Sequence, residues 1–140
     1  HTWVGTDYVR SVLDMLAYER EADSALVIGA GVPATWLADS GVIVRGLRTR
    51  WGTLNYSMRL TVESPRRALE VQIDGPRVPP GGIVVQVPGG FRADPEMSGQ
   101  LRRVRRLLVN GRPAKPTLEG WMRLTSLPAT IRDTEQPLYR

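Results

Sequence analysis

From Leu54 onward, apolar side chains occupy every second position. Leu54, Tyr56, Met58, Leu60 and Val62 fall on one side, and Asn55, Ser57, Arg59, Thr61 and Glu63 on the other. Wound as a helix, a period of two would scatter the apolar set around the cylinder; laid out as a strand, it collects on one face. Pro65, Arg66 and Arg67 interrupt the pattern, and Leu69, Val71 and Ile73 resume it against Glu70, Gln72 and Asp74. The two segments predict a β-hairpin with one dry face, which needs a second layer to cover it.

Further strands are predicted at Ala25–Ile28, Val42–Val44, Ile83–Val87, Leu107–Val109 and Trp121–Ser126. Asn110-Gly111 after Val109 favours the positive-φ turn of a tight hairpin. Residues 75–82 hold three prolines and three glycines and read as a surface loop, and 89–99 as a second long loop. Seven or eight strands at turn spacings of about 8–12 residues are the pattern of an antiparallel β-sandwich.

One segment breaks the β pattern. Over Asp7–Arg20, apolar residues recur at Val9, Val12, Leu13, Leu16 and Ala17, the 3.6-residue stripe of a helix with one face to bury, and Thr6 or Asp7 can cap its start. The fold class expected is therefore mainly β, a sandwich preceded by one N-terminal amphipathic helix. The organisation expected is a helix over 1–23 belonging to an upstream helical body, a sandwich over 24–130, and a loose tail over 131–140. Residue 1 is His with no Met before it, which fits a processed or excised segment.

Composition agrees with strands and turns: Gly and Pro number 14 and 11 in 140 residues, with 41% hydrophobic and 24% charged residues. With no cysteine, neither disulfides nor thiolate metal sites can form. No apolar run approaches the ~18 residues of a membrane span, no signal-peptide pattern is visible, and nothing in the residues assigns a compartment. The net charge of +5 and pI near 10.4 raise nucleic-acid binding. Yet the basic residues are 18 Arg and one Lys, a skew that GC-rich coding produces by itself. The one dense group, Arg102, Arg103, Arg105 and Arg106, alternates with Leu101, Val104 and Leu107 as a solvated strand face would. The distribution argues against a nucleic-acid partner.

Catalytic signatures are weak. His1 is the only histidine, so neither a histidine metal cluster nor a held Ser-His-Asp base can be assembled, and no metal is expected. Asp7, Asp14, Glu19 and Asp23 could supply paired carboxylates, but none stands in an apolar setting that would raise its pKa. Gly29 and Gly31 follow a strand and Ala34 takes a third glycine's place, but no helix follows to bind pyrophosphate, so no dinucleotide cofactor is expected. The aromatics are richer: Trp3, Trp36, Trp51 and Trp121 with Tyr8, Tyr18, Tyr56 and Tyr139 offer flat faces that stack on sugar rings or anchor a core. Trp3 and Trp51, each close to a glycine in an expected loop, lead as ligand contacts.

Three phrases carry a resemblance: His1 to Ser11, Leu26 to Pro33 with Trp36-Leu37, and Gly46 to Tyr56, with Val109-Asn110-Gly111 and Leu127-Pro128-Ala129 near the end. They resemble the C-terminal region of large bacterial glycoside hydrolase-like proteins, often bearing discoidin-type domains, in which a six-hairpin (α/α)6 catalytic barrel precedes a β-sandwich. The likeness spans about the first 90 residues. Arg48 and Arg50 beside Trp51 depart from the less charged phrase of that family. The resemblance implies that the first helix is the barrel's last, with His1, Trp3, Asp7 and Tyr8 near a sugar-binding mouth. It implies a general acid and base upstream and transfers no catalytic residue to this chain. The function expected is a structural, non-catalytic sandwich supporting a carbohydrate-active barrel, with His1, Trp3, Asp7, Tyr8 and Trp51 as substrate-contact candidates. The competing expectation is a free-standing carbohydrate-binding or protein-docking module.

Overall fold

The computed structural model describes residues 2–63, 66–75, 77–86, 103–117 and 121–137. Helix α1 (Thr2–Leu16) leads into strand β1 (Ala17–Arg20), and the described residues then form β2 (Ala25–Ile28), β3 (Val42–Thr49), β4 (Gly52–Glu63), β5 (Arg66–Asp74), β6 (Ile83–Val85), β7 (Arg103–Val109), β8 (Arg112–Pro113), β9 (Met122–Leu124) and β10 (Ala129–Pro137). A short 3-10 turn over Ala34–Leu37 precedes β3. The strands make two sheets, one ordered β1-β2-β6-β9 and one ordered β3-β4-β5-β10-β7-β8. All pairings are antiparallel except β2 with β6.

One apolar cluster joins the sheets. Leu26, Ile28, Ile83, Val85, Met122 and Leu124 from the smaller sheet meet Leu54, Tyr56, Met58, Leu69, Val71, Ile73 and Ile131 from the larger. This is the dry face that the alternation in β4 and β5 requires, and the mainly β sandwich with one N-terminal helix is what the molecule forms. Burying each of these side chains stabilises the fold by about 1.5–3 kcal/mol. The β4–β5 hairpin pairs Leu60 with Leu69 and Met58 with Val71, so the same apolar positions face inward on both strands. Asn110 and Gly111 turn β7 into β8 with φ of 50° and 75°, the double positive φ that only such residues adopt readily.

Three expectations are corrected. The helix begins at Thr2, so Asp7 lies in its second turn and caps nothing; the Thr6 hydroxyl instead donates back to the Thr2 carbonyl at 3.2 Å. The helix also stops at Leu16, four residues short of Arg20, because the sandwich captures its last carbonyls. The Met15 carbonyl accepts from the Gly31 amide at 3.0 Å and the Leu16 carbonyl from the Gly29 amide at 2.9 Å. Ala17–Arg20 then pairs with β2, Tyr18 opposite Val27. Finally, residues 131–137 of the expected loose tail belong to β10, which lies between β5 and β7 and buries Ile131 and Asp133. Its polar sequence hides an alternation, with Ala129, Ile131 and Asp133 pointing in.

Candidate functional site

The site is built where α1 leaves the sandwich. In contrast to the strands, the helix buries none of its 15 residues. Trp3, Tyr8, Val9 and Leu13 stand 68%, 71%, 57% and 45% exposed, and Val4 and Val12 are exposed beside them. At 100° per residue, Val4, Tyr8, Val12, Val9 and Leu13 share one half of the helix surface, while Asp7, Arg10 and Asp14 share the other. Neither end carries charges that complement the helix dipole: the first turn has no acid and the last turn no base. A 15-residue helix with neither buried face nor dipole support is close to the limit of independent stability in water.

What fixes α1 is its C-terminus. Besides the two amides above, the Tyr56 hydroxyl on β4 donates to the Leu16 carbonyl at 2.7 Å. Burial pushes the Tyr56 phenol well above its ordinary pKa, so it stays a protonated donor throughout the neutral and mildly alkaline range. Gly31 is the second fixture, because a Cβ there would meet the Cα of Met15 at 2.8 Å, so only glycine lets the loop pass this close to the helix end.

Beneath the helix runs an open cleft of about 1090 Å³. One wall is the α1 face carrying Gly5, Val9 and Leu13; the other is the end of β3, Leu47 to Arg50; Ala17 and Leu26 line it between them. At the cleft's edge Glu19 on β1 ties the two sheets together: its carboxylate accepts from the Arg50 amide at 2.8 Å and lies 3.6 Å from the Arg50 guanidinium. β3 is an edge strand, paired only with β4 among the described residues, and its register shifts between Val44 and Leu47, where the Asn55 side chain accepts from the Gly46 amide at 2.8 Å. A second, shallower depression of about 410 Å³ lies on the solvated face of the larger sheet, lined by Asn55, Gln72, Asp74 and Thr130 among others.

The sequence candidates are dispersed. Trp3, Asp7 and Tyr8 sit exposed on α1, and Trp51 is half-buried in the β3–β4 turn, its amide donating to the Thr49 hydroxyl at 3.1 Å. None of the four lines the cleft. His1 lies outside the described residues. Trp36 is half exposed after the Pro33 turn, and Trp121 is half-buried with the Arg20 guanidinium 5.8 Å from its ring centre. Of the carboxylates, Asp23 is gripped by Arg20 (2.8 and 2.9 Å) and Arg123 (3.0 Å). Hydrogen bonds from Arg20 and then Arg123 hold its carboxyl well below the usual range, the opposite of what a general acid needs. Among the described residues no group of His, Cys, Asp and Glu could hold a metal ion, and no helix is long and apolar enough to cross a membrane.

The basic group seen in the sequence lies on β7, apart from Arg102, which is outside the described residues; Arg106 is exposed. Elsewhere on that sheet Glu70 stands between Arg59 (3.8 Å) and Arg132 (3.6 Å) in one row across β4, β5 and β10, so acids offset part of the positive face. What sequence reasoning passed over is the cleft. Its β3 wall is twenty-five or more residues from the helix in the chain, and the Glu19–Arg50 contact and the Tyr56–Leu16 hydrogen bond act across that distance.

Comparison of the chain with models of known protein families, with curated protein sequences and with solved structures gave no match.

Proposed function

We propose that this chain is a non-catalytic docking and support module, which uses α1 to join its sandwich to a helical body, expected upstream in the same polypeptide. The observation that carries this reading is the helix without a single buried residue and with half its surface apolar. Half-exposed Val and Leu side chains gain on the order of 1 kcal/mol each when a partner covers them. Four such residues, Val4, Val9, Val12 and Leu13, with Tyr8 beside them, suffice to convert a marginal helix into a rigid joint. The setting we propose is a carbohydrate-active, glycoside hydrolase-like protein, on the strength of the opening and middle phrases of the sequence.

Hydrogen exchange on the isolated chain tests the joint. Amides of residues 4–12 are expected to exchange within seconds while those of β4, β5 and β10 stay protected. Equal protection of both in a monomer would overturn the reading. Turnover of an oligosaccharide panel by this chain alone would overturn its non-catalytic part, and binding without turnover that is lost on Trp3→Ala and Tyr8→Ala would favour the carbohydrate-binding module instead.

A further inference from the structure

We infer that the groove on the outer face of the larger sheet binds a short neutral oligosaccharide, held by Ser57, Gln72 and Asp74. The site is independent of how α1 docks. Strand register builds its floor: Asn55 pairs with Asp74, and Ser57 with Gln72, which pairs in turn with Thr130. Because Tyr56, Ile73 and Ala129 between them point into the core, these polar side chains all point outward from one patch of three adjacent strands.

Most of these groups have nothing to bond to within the protein. Ser57, Gln72 and Asp74, and Arg45 beside them, make no side-chain hydrogen bond or ion pair with any described residue. Asn55 commits its side-chain oxygen to the Gly46 amide at 2.8 Å, which leaves its amide N–H groups to donate. The next row on the same face differs, since Arg59 and Arg132 close on Glu70 at 3.8 and 3.6 Å and satisfy one another. The unpaired row is also the one that lies in a depression, with apolar rims: Ile43, 57% exposed, on the β3 side and exposed Pro128 on the β10 side.

The class of ligand follows by elimination. Strands β4, β5 and β10 each have a neighbour on both sides, so no backbone edge is open to an added peptide strand and recognition falls to side chains. Arg45 and Asp74 are the charges in the groove and offset each other, so neither an anion nor a cation is selected. Tyr56, its one aromatic residue, turns its ring inward and its hydroxyl to Leu16, so a nucleobase finds nothing to stack on. A pyranose supplies what remains: hydroxyls that both donate and accept, to meet a carboxylate, two amides and a hydroxyl, and C–H faces for Ile43 and Pro128. The groove crosses from β3 to β10, about 14 Å at the usual strand spacing, which is more than a single ring spans.

The test uses the full chain, labelled with nitrogen-15 and titrated with neutral tetra- to hexasaccharides of β-glucan, α-glucan, xylan and mannan type, with a polygalacturonate oligomer as the anionic control. One neutral member is expected to shift the amides of residues 55–57, 72–74 and 130 while those of α1 stay in place, with an affinity that hardly changes with salt. Gln72→Ala and Asp74→Ala change exposed side chains, so each should keep the melting temperature and weaken binding about tenfold. Trp3→Ala with Tyr8→Ala should leave binding intact. Binding that survives both sheet variants, a preference for the anionic oligomer that fades in high salt, or no shift with any member at millimolar concentration would each overturn the inference. The docking of α1 is tested separately, by hydrogen exchange.

Discussion

Replacing Tyr56 by Phe isolates the hydrogen bond that ties the helix end to the sandwich. The phenol donates to the Leu16 carbonyl at 2.7 Å, and the same carbonyl also accepts from the Gly29 amide at 2.9 Å. The substitution therefore leaves the carbonyl with one partner, and the ring keeps its place in the core, so no cavity forms. The loss is that of one net hydrogen bond, about 1 kcal/mol, and not the ~1–3 kcal/mol of an orphaned buried acceptor. For a chain of this length that is a fall of about 2–5 °C in melting temperature. Exchange should report it locally: the Gly29 amide, sharing the acceptor, should exchange faster while amides of β5 hardly change. The pH dependence carries a sign. Because burial raises the folded-state pKa of Tyr56, the stability it confers is complete below the ordinary tyrosine value near 10 and is lost as pH rises through the higher folded value. Wild type should accordingly lose its margin over the Phe variant in strong alkali and keep it at pH 7–9. No change in melting, or a loss above about 3 kcal/mol, would show that the helix end is held in some other way.

Three other perturbations probe the same architecture. Gly31→Ala sets a Cβ 2.8 Å from the Cα of Met15, and the resulting shift should cost about 1–3 kcal/mol by chemical denaturation; a neutral outcome would mean the loop moves freely. Val9→Gln with Leu13→Gln changes exposed side chains only, so the isolated chain should keep its stability to within about 0.5 kcal/mol while its docking to a helical body fails; unfolding would place the stripe in the core. Asp23 should titrate by carbon-detected NMR well below the ordinary aspartate value of about 3.9, returning towards it in Arg20→Gln/Arg123→Gln. Its contribution to stability is complete above that ordinary value and disappears only as pH falls through the lower folded one; an unshifted titration would dissolve the Arg20–Asp23–Arg123 clamp.

The parts of the fold that the sequence disclosed are those where one residue's neighbours decide its state. Alternation in β4 and β5 needs only a dry face, and Asn110-Gly111 needs only its own φ angles. Helix α1 was visible from its stripe for the same reason. Its end at Leu16 was not, since the carbonyls of Met15 and Leu16 are taken by amides more than a dozen residues downstream and by a hydroxyl forty residues away. Residues 17–20 continue the helical pattern, and tertiary pairing overrides it. Strand β10 was hidden because a buried Asp133 takes an inward position that a pattern reader fills with an apolar residue. The cleft failed to show for a third reason: its walls come from α1 and β3, which meet only in space.

The way α1 is held bears on what it can do. All the contacts that fix it fall within its last two residues, from Gly29, Gly31 and Tyr56, so its direction relative to the sheets is set while its first three turns make no tertiary hydrogen bond among the described residues. A helix that frays when alone enters a complex with an entropic cost that grows with each residue to be ordered, about 1–2 kcal/mol per residue for the backbone. Fixing the last turn supplies the nucleus, the most costly step of helix formation, so a partner need only extend it. The fixed base thus sets where the apolar stripe leaves the sandwich, so a partner meets it from one direction and need only order the turns beyond. On this argument, weakening the base through Tyr56 should lower partner affinity even though Tyr56 touches no partner, and it should do so through faster dissociation.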